Sequence, residues 1–448
     1  MSTKGDTFYA LSSAPGRSAI SSTRISGPLC LEVTSKLTKT NKKLFKHKKA
    51  TVVNIYNINN NLIDKVVVVY FKGPNSYTGD DLVEIHTHGN PKITQNLFNA
   101  LNDLGLRLAD PGEFTRTAYL NKKLDLIQAE SIASLINSQT DKGISLSLQN
   151  VFGHLSTKLK ELKGVLVSAL EYIEYELDIS DEDNSERIRK KTIRTIRKSL
   201  LFIAELLTSH ESAKVLSDGA RIAIVGAPNS GKSTLFNSLL NYQRAIVADS
   251  PGTTRDTIED SLNISNYSVL LVDTAGIRKT TNRVELSGIE RSNNEINNSD
   301  LIYCVLDLST NTKKPKLKTS TPIIYTYNKV DLVSKKKINN IKKGSDNVVF
   351  ISAKTQEGLQ SLKEKTGDFL GSIINKNSEF FITSARQKNI LNNIKTILEN
   401  ALSGEATNEI ELLAFELKLA IEQFDWLLGK TTADDILNNL FSDFCVGK

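Results

Sequence analysis

The chain has 448 residues, 39% hydrophobic and 24% charged, which is room for about three domains with buried cores and an ordinary balance for a soluble protein. Lys and Arg exceed Asp and Glu by 57 to 50, for a net charge of +7. That excess permits a polyanion such as RNA without demanding one, since AT-rich coding also raises Lys, Asn and Ile. No apolar stretch reaches the ~18 residues of a transmembrane helix. Cys30, Cys304 and Cys445 form no Cys-x-x-Cys pair, which argues against a disulfide framework or a structural zinc site. The first twenty residues lack a signal-peptide core, so the expected compartment is the cytoplasm, with no membrane partner.

In chain order, the first expected elements are a strand over Val66–Phe71 and a second over Leu82–His86, each closed by a Gly/Pro/Asn cluster. A helix from Pro91 to Leu104 follows, ended by Gly105. Residues 1–120 therefore read as an α+β domain. His86 and His88 would share a strand face, but no third metal ligand is in register.

From Leu124 to Leu177 the chain is free of proline, and Leu159, Leu162, Leu166, Leu170, Ile173 and Leu177 make a helical stripe. An acidic break over 178–183 precedes a basic helix, Arg187 to Leu207. Seven Lys/Arg lie between Arg187 and Lys198, either a solvated face or a phosphate-contact surface. Strand-like runs then recur at Arg221–Gly226, Tyr267–Val272, Leu301–Leu306, Ile323–Tyr327 and Val348–Ile351, with helical stretches between. This alternation predicts a largely parallel sheet covered by helices. Residues 311–320 read as a solvated loop, and Phe380 to Lys448 as helical again. The expected plan is multidomain. An α+β domain (1–120) is followed by an all-α domain in two halves (121–215 and 375–448), interrupted by an inserted α/β P-loop domain (216–374).

GAPNSGKS, Gly226 to Ser233, matches GxxxxGK[ST] between a strand and a helix-compatible run. Backbone N–H groups of Asn229, Ser230, Gly231 and Thr234 would cradle phosphates there. Lys232 would put its charge on the β/γ oxygens and the Ser233 hydroxyl would ligate Mg²⁺. Asp273-Thr274-Ala275-Gly276 follows a strand, where the Asp can support Mg²⁺ and a Gly N–H can sense the γ-phosphate. Asn328-Lys329-Val330-Asp331 ends another strand, and the Asp331 carboxylate can accept two N–H bonds from a guanine edge. Adenine offers no such donor pair, which favours GTP over ATP. Ser352-Ala353-Lys354, at a fourth strand end, can hold the guanine oxygen.

Those four motifs resemble the translation-factor-like GTPases. The text Ile246 to Asp256 narrows the resemblance to the MnmE (TrmE) family of tRNA-modifying GTPases. So do GPNSYTGDDLVEIHTHGNP (73–91), DPGEFTRTAYLNKKLDLIQAE (110–130) and the terminal Cys445-Val446-Gly447-Lys448. The resemblance implies a homodimeric GTPase that needs no arginine finger, with K⁺ supplying the positive charge. The matching K⁺ ligands are Asn229 and the loop Ala248-Asp249-Ser250-Pro251-Gly252-Thr253, through Ala248, Ser250 and Thr253. Thr254 matches the residue that joins Ser233 on Mg²⁺, and Glu285 the water-positioning carboxylate. Ile277 stands after Gly276, where many GTPases carry the Gln that orients the water. Arg278 is either a switch-ordering residue or a solvated side chain.

The resemblance also implies a reduced one-carbon tetrahydrofolate in the N-terminal domain, at Arg24, Glu84, Lys123 and Lys448. Arg and Lys suit the folate's glutamate carboxylates, and a carboxylate suits pterin N–H groups. It implies tRNA as substrate and a heterotetramer with an FAD protein, MnmG (GidA), since this chain has no FAD-type GxGxxG of its own. The product would be a 5-carboxymethylaminomethyl or 5-aminomethyl wobble uridine. Two readings stay open beside this one: a regulatory GTPase switch in ribosome or RNA metabolism, and, for Cys445, a tail cysteine without chemistry.

Overall fold

The computed structural model describes residues 6–179, 182–244, 259–265, 267–273, 298–310, 314–315, 319–334, 338, 341, 347–373, 379–403, 409–430, 434–442, 444 and 446–447. It divides into two compact units. The first comprises Met1–Ala133, Gln149–Leu200 and Asn389–Lys448.

Its six-stranded sheet has β1 (Phe8–Leu11), β2 (Ile20–Ser26), β3 (Ala50–Tyr56), β4 (Leu62–Phe71), β5 (Leu82–His88) and β6 (Arg107–Leu108), in the order β3-β4-β5-β2-β1-β6. In β4 the inward positions Asp64, Val66, Val68 and Tyr70 alternate with Ile63, Lys65, Val67 and Val69, which are more exposed, so the valine run is a one-sided strand. Helices α1 (Cys30–Thr38) and α2 (Pro91–Asp103) contribute Cys30, Val33, Leu37, Leu97 and Leu101 to the core against Ile25, Val68, Val83 and Ile85. The start of α2 is set by Asn90, whose side chain accepts from the Lys92 N–H at 2.8 Å, with Pro91 at the first turn.

Arg107 closes the sheet edge. It donates to both carboxylate oxygens of Glu113 (2.9 and 2.5 Å) and to Asp6 (2.6 Å). Glu113 is 3% exposed. The Glu113 hydrogen bonds outweigh burial and hold the guanidinium above its usual range. Arg107→Met strands this carboxylate. The expected loss is about 2–4 kcal/mol, toward the lower end for a broken buried pair because Arg107 keeps water contact. Thermal unfolding of the full chain measures it, and an unchanged first transition would contradict it.

Three helices follow α2: α3 (Glu113–Leu120), α4 (Leu126–Asn137) and α5 (Asp141–Val151). In α6 (His154–Ile179) the predicted stripe is real at Leu159, Leu166 and Ile173, which are fully buried, but Leu177 is exposed. The basic helix, α7, spans Glu182–Asp218 and is longer than predicted at both ends.

The second unit comprises Ser134–Leu148 and Leu201–Lys388. Its strands are β7 (Ala220–Gly226), β8 (Glu259–Ile264), β9 (Tyr267–Asp273), β10 (Leu301–Asp307), β11 (Ile323–Asn328) and β12 (Val348–Phe350), in the order β12-β11-β10-β7-β9-β8. All pairs are parallel except β8–β9, a hairpin the strand reading did not anticipate. Residues Leu301–Leu306 of β10 are buried on both faces, as a central parallel strand requires. One face packs on α8 (Lys232–Arg244) and α9 (Leu359–Ile373) through Leu235, Leu239, Leu362 and Leu370. Leu146, Ala213 and Val215 join that same cluster, so the C-terminal turns of α7 pack on the P-loop sheet.

The chain ends in helices α10 (Ala385–Ala401), α11 (Ile410–Leu428) and α12 (Asp434–Ser442). Gly429 stops α11 in a left-handed conformation, and the Tyr119 hydroxyl donates to its carbonyl. No helix among the described residues is long and apolar enough to cross a membrane.

Candidate nucleotide and N-terminal sites

The loop after β7 stands at the C-terminal end of a parallel strand, where open α/β sheets place ligands. Asn229 is exposed and left-handed (φ 60°), Gly231 likewise (φ 95°). A Cβ on Gly231 would overlap Asn328 Nδ2, and one on Gly226 would overlap the Val305 carbonyl, so both glycines are steric requirements. Lys232 Nζ donates to the carbonyls of Gly226 and Ala227, both at 2.9 Å. Ser233 and Thr234 are exposed in the first turn of α8. Ser230 is 2% exposed, and its hydroxyl has no partner among the described residues.

Asn328 is the hinge pin of the site. Only 2% exposed, it donates from Nδ2 to the Ser230 carbonyl (2.9 Å). Its Oδ1 accepts from the backbone N–H of Lys329 (2.8 Å) and of Ala353 (2.9 Å). One side chain thus ties the phosphate loop to both base-side motifs. Ser238 of α8 donates to the Ala353 carbonyl at 2.6 Å, a second tie. Lys329 is left-handed and its ammonium reaches Asp307 at 2.5 Å. Burial works against ionisation of Asp307, but hydrogen bonds from Lys329 and Ser309 hold its carboxyl below the usual carboxylate range. Asp331 is exposed on the short turn Val330–Leu332. Ser352 is buried and braces the turn by accepting from the Thr355 N–H (3.1 Å), whereas Lys354 is exposed.

The backbone of Asp273 ends β9 beside Ile224 of β7, next to the P-loop strand. Thr274, Ala275, Gly276, Ile277, Arg278 and Glu285 lie outside the described residues, as do Ala248, Asp249, Ser250, Pro251, Gly252, Thr253 and Thr254. Most of 311–320 does too. The described part of the site is therefore the phosphate loop and the base side. The residue types fit the implied ions as far as they go: Ser233 offers a hydroxyl and Asn229 an amide oxygen.

In the N-terminal sheet, Arg24 and Glu84 face each other across β2 and β5, with Nε to Oε1 at 2.9 Å. The guanidinium also lies 5.6 Å from the Tyr77 ring centroid. Burial raises the Tyr77 phenol above its usual range, against lowering contributions from its Thr115 hydrogen bond and Arg24. Lys123 Nζ donates to the Pro74 carbonyl at 2.9 Å, so Lys123 and, through Tyr77, Arg24 adjoin the turn 73–81, and Glu84 joins them by its pair with Arg24. Glu84 Oε2 has His86 Nε2 at 3.8 Å and keeps capacity for an N–H donor. Lys448 and Cys445 lie outside the described residues, but Gly447 packs against Leu11 and Ser12 at the end of β1. The predicted His86/His88 pair is divided between carboxylates. His88 Nδ1 sits 2.8 Å from Asp64, and among the described residues no group of three metal-ligating side chains occurs. Cys30 and Cys304 are buried thiols. Burial, with Asp81 adding, pushes Cys30 up to about 12, and burial pushes Cys304 up to about 11.

What no motif signalled is the side-chain work of Asn328. Its neighbour Asp331 drew the functional reading, yet Asn328 makes the connections. The spacing could have hinted at it, because a buried Asn at a strand end needs several partners.

A central parallel sheet with a glycine-rich phosphate loop at a strand end, braced to two base-side loops, defines a P-loop nucleotide-binding protein. The family described as MnmE helical domain matches residues 126–445, and the GTP-binding protein TrmE N-terminus matches residues 7–123. Proteins named tRNA modification GTPase MnmE are similar over nearly the whole length. The one from Thermosipho melanesiensis is 39% identical over 99% of this chain and 100% of its own. That from Aquifex aeolicus is 36% identical over 98% and 99%, and that from Clostridioides difficile 37% over 99% of both. The chain belongs to the MnmE family of tRNA modification GTPases.

Proposed function

We propose that this chain is a K⁺-activated, homodimeric GTPase that modifies the wobble uridine of certain tRNAs in the cytoplasm, together with an FAD-containing partner of the MnmG type. The observation that carries the nucleotide half is the Asn328 bridge between the Ser230 carbonyl and Ala353, which presets phosphate and base contacts together. In this reading Lys232 and the loop amides hold the phosphates, and Asp331 and the Ala353 turn read the guanine edge. Ser233 and Thr254 hold Mg²⁺, while Asn229 and the backbone of Ala248, Ser250 and Thr253 hold K⁺. The two ions neutralise the charge that develops on the phosphates. Glu285 orients the attacking water.

Arg24, Glu84, Lys123 and Lys448 would bind a one-carbon tetrahydrofolate, Glu84 through Oε2, the oxygen turned away from Arg24 Nε. The folate supplies the carbon, and the partner's flavin the redox step. The domain division proposed is 1–120, 121–215, 216–374 and 375–448, with the helical ends of the second packing on the third.

Two measurements test this. Hydrolysis is expected to be fast in K⁺ and slow in Na⁺, because a cage of carbonyls sized for K⁺ holds Na⁺ loosely. Equal turnover in matched buffers would remove the K⁺ assignment and revive an arginine such as Arg255 or Arg278. Mass spectrometry of wobble nucleosides from cells lacking the protein should show loss of the modified uridine. Unchanged nucleosides would favour a regulatory switch that modifies nothing.

A further inference from the structure

The basic helix α7 has a structural asymmetry that the nucleotide and folate readings leave unused. At 3.6 residues per turn, Arg187, Lys190, Lys191, Arg194, Arg197 and Lys198 fall within an arc of about 120°. All six are exposed. Thr192, Ile196 and Ser199 are buried on the opposite face, so the stripe points away from the core. It runs about 16 Å along the helix at 1.5 Å per residue. From Arg187 to Ala204 there is no Asp or Glu, so beyond Lys190 the i,i+4 pairs that usually neutralise a solvated helix face are missing. Among the described residues Lys190 pairs with Glu186 (2.5 Å) before the stripe, and Arg187, Arg194, Arg197 and Lys198 make no ion pair.

The neighbouring surface adds aromatics. On α6, Tyr172 and Tyr175 are 49% and 63% exposed, three residues apart on one face. Lys191 Nζ lies 4.4 Å from the Tyr172 ring centroid, which joins the two helices' surfaces. Glu171 and Glu174 share that region of α6, but Glu174 is engaged by Lys418 at 2.7 Å. A row of cations beside exposed phenol rings is the composition that follows a phosphate backbone and stacks an unpaired base.

We propose that the α7 stripe with Tyr172 and Tyr175 is a docking surface for the tRNA, with the arginines and lysines on consecutive phosphates and a tyrosine under an unstacked base. The proposal rests on the reading of this chain as a tRNA modification enzyme. It places the RNA on the first compact unit, on residues outside the nucleotide and folate sites.

The test is binding of unmodified tRNA to the full-length chain across a salt series, with GTP hydrolysis measured without RNA as a check of folding. Removing the cation from one phosphate lowers the slope of log K against log salt by about 0.7–0.9. The Arg187→Gln, Arg194→Gln, Arg197→Gln triple variant should therefore lose about 2–3 units of slope. Tyr175→Ala should weaken binding about tenfold with the slope kept. Hydrolysis should be unchanged in both. If the unaltered chain binds tRNA and the triple variant keeps its slope and affinity, the stripe is not the surface. Loss of an acidic protein partner by the same variant, with tRNA binding intact, would overturn it as well. If the unaltered chain binds no tRNA at any salt, the tRNA reading itself fails first.

Discussion

Glu285→Ala is expected to lower GTP turnover by about 10²–10⁴, the range for losing a positioned acid–base group, while nucleotide affinity stays near that of the unaltered chain. In the proposed reading, phosphate and base contacts come from Lys232, the loop amides, the Ala353 turn and Asp331, and Glu285 belongs to none of them. Ile277 offers no amide or carboxylate to take over the water. The variant should accumulate with GTP bound, and tRNA modification should fail although folate still binds. Single-turnover hydrolysis and a nucleotide titration on one preparation decide the matter. Affinity that collapses with turnover would make Glu285 a support of the nucleotide-bound structure. Unchanged turnover would move the water to other groups.

Asn328→Ala should act in the opposite way, on binding. The substitution deletes three hydrogen bonds at once and leaves the Ser230 carbonyl and the Lys329 and Ala353 N–H groups without their partner. Each buried polar group left unsatisfied costs about 1–3 kcal/mol, and water entering the space recovers part of it, so a net loss of about 3 kcal/mol, or ~10² in affinity, is expected. GTP and GDP should weaken alike, because the deleted bonds brace the site and do not touch the γ-phosphate. A fluorescent-nucleotide titration beside thermal unfolding separates this from general damage. Unchanged affinity for both nucleotides would show that the Ser238 tie to Ala353 suffices.

The second sheet was largely legible because its strands are short apolar runs ending in motif residues. Leu301–Leu306 is buried on both faces, and Gly226, Asp273 and Asn328 stand at the strand ends where phosphate and base chemistry belong. The first sheet was legible only in part. Ile20–Ser26 reads ISSTRIS, and Ser21, Thr23 and Ser26 are buried where an apolar pattern would be expected. The Ser26 hydroxyl fits inside because it pairs with that of Thr78 at 2.8 Å. Ala50–Tyr56 is an edge strand with Ile55 alone fully buried, so its pattern carries little signal. The excess length of α7 was hidden at its acidic start, where charge read as a break, although acids suit the first turn of a helix. At the nucleotide site, the motif residues were visible in the sequence and their mutual bracing was not, since spacing says nothing of which side chain reaches which carbonyl.

Gly447 rests on Leu11, so the last segment of the sequence completes the unit that the first segment begins. Gly112 similarly admits Phe441 and Phe444 where a Cβ would clash. During synthesis the first strands leave the ribosome long before their final neighbours exist, while the P-loop sheet is made wholly in between. Both sheet cores can therefore form on the nascent chain, since the buried residues of the first run only from Phe8 to Phe114, and what comes late is the cover that Phe441, Phe444 and Gly447 lay over Gly112 and Leu11. Removal of residues 434–447 should accordingly leave a chain that still binds nucleotide and keeps its first sheet, but is protease-sensitive around Gly112 and Leu126, where Phe441 and Phe444 no longer pack.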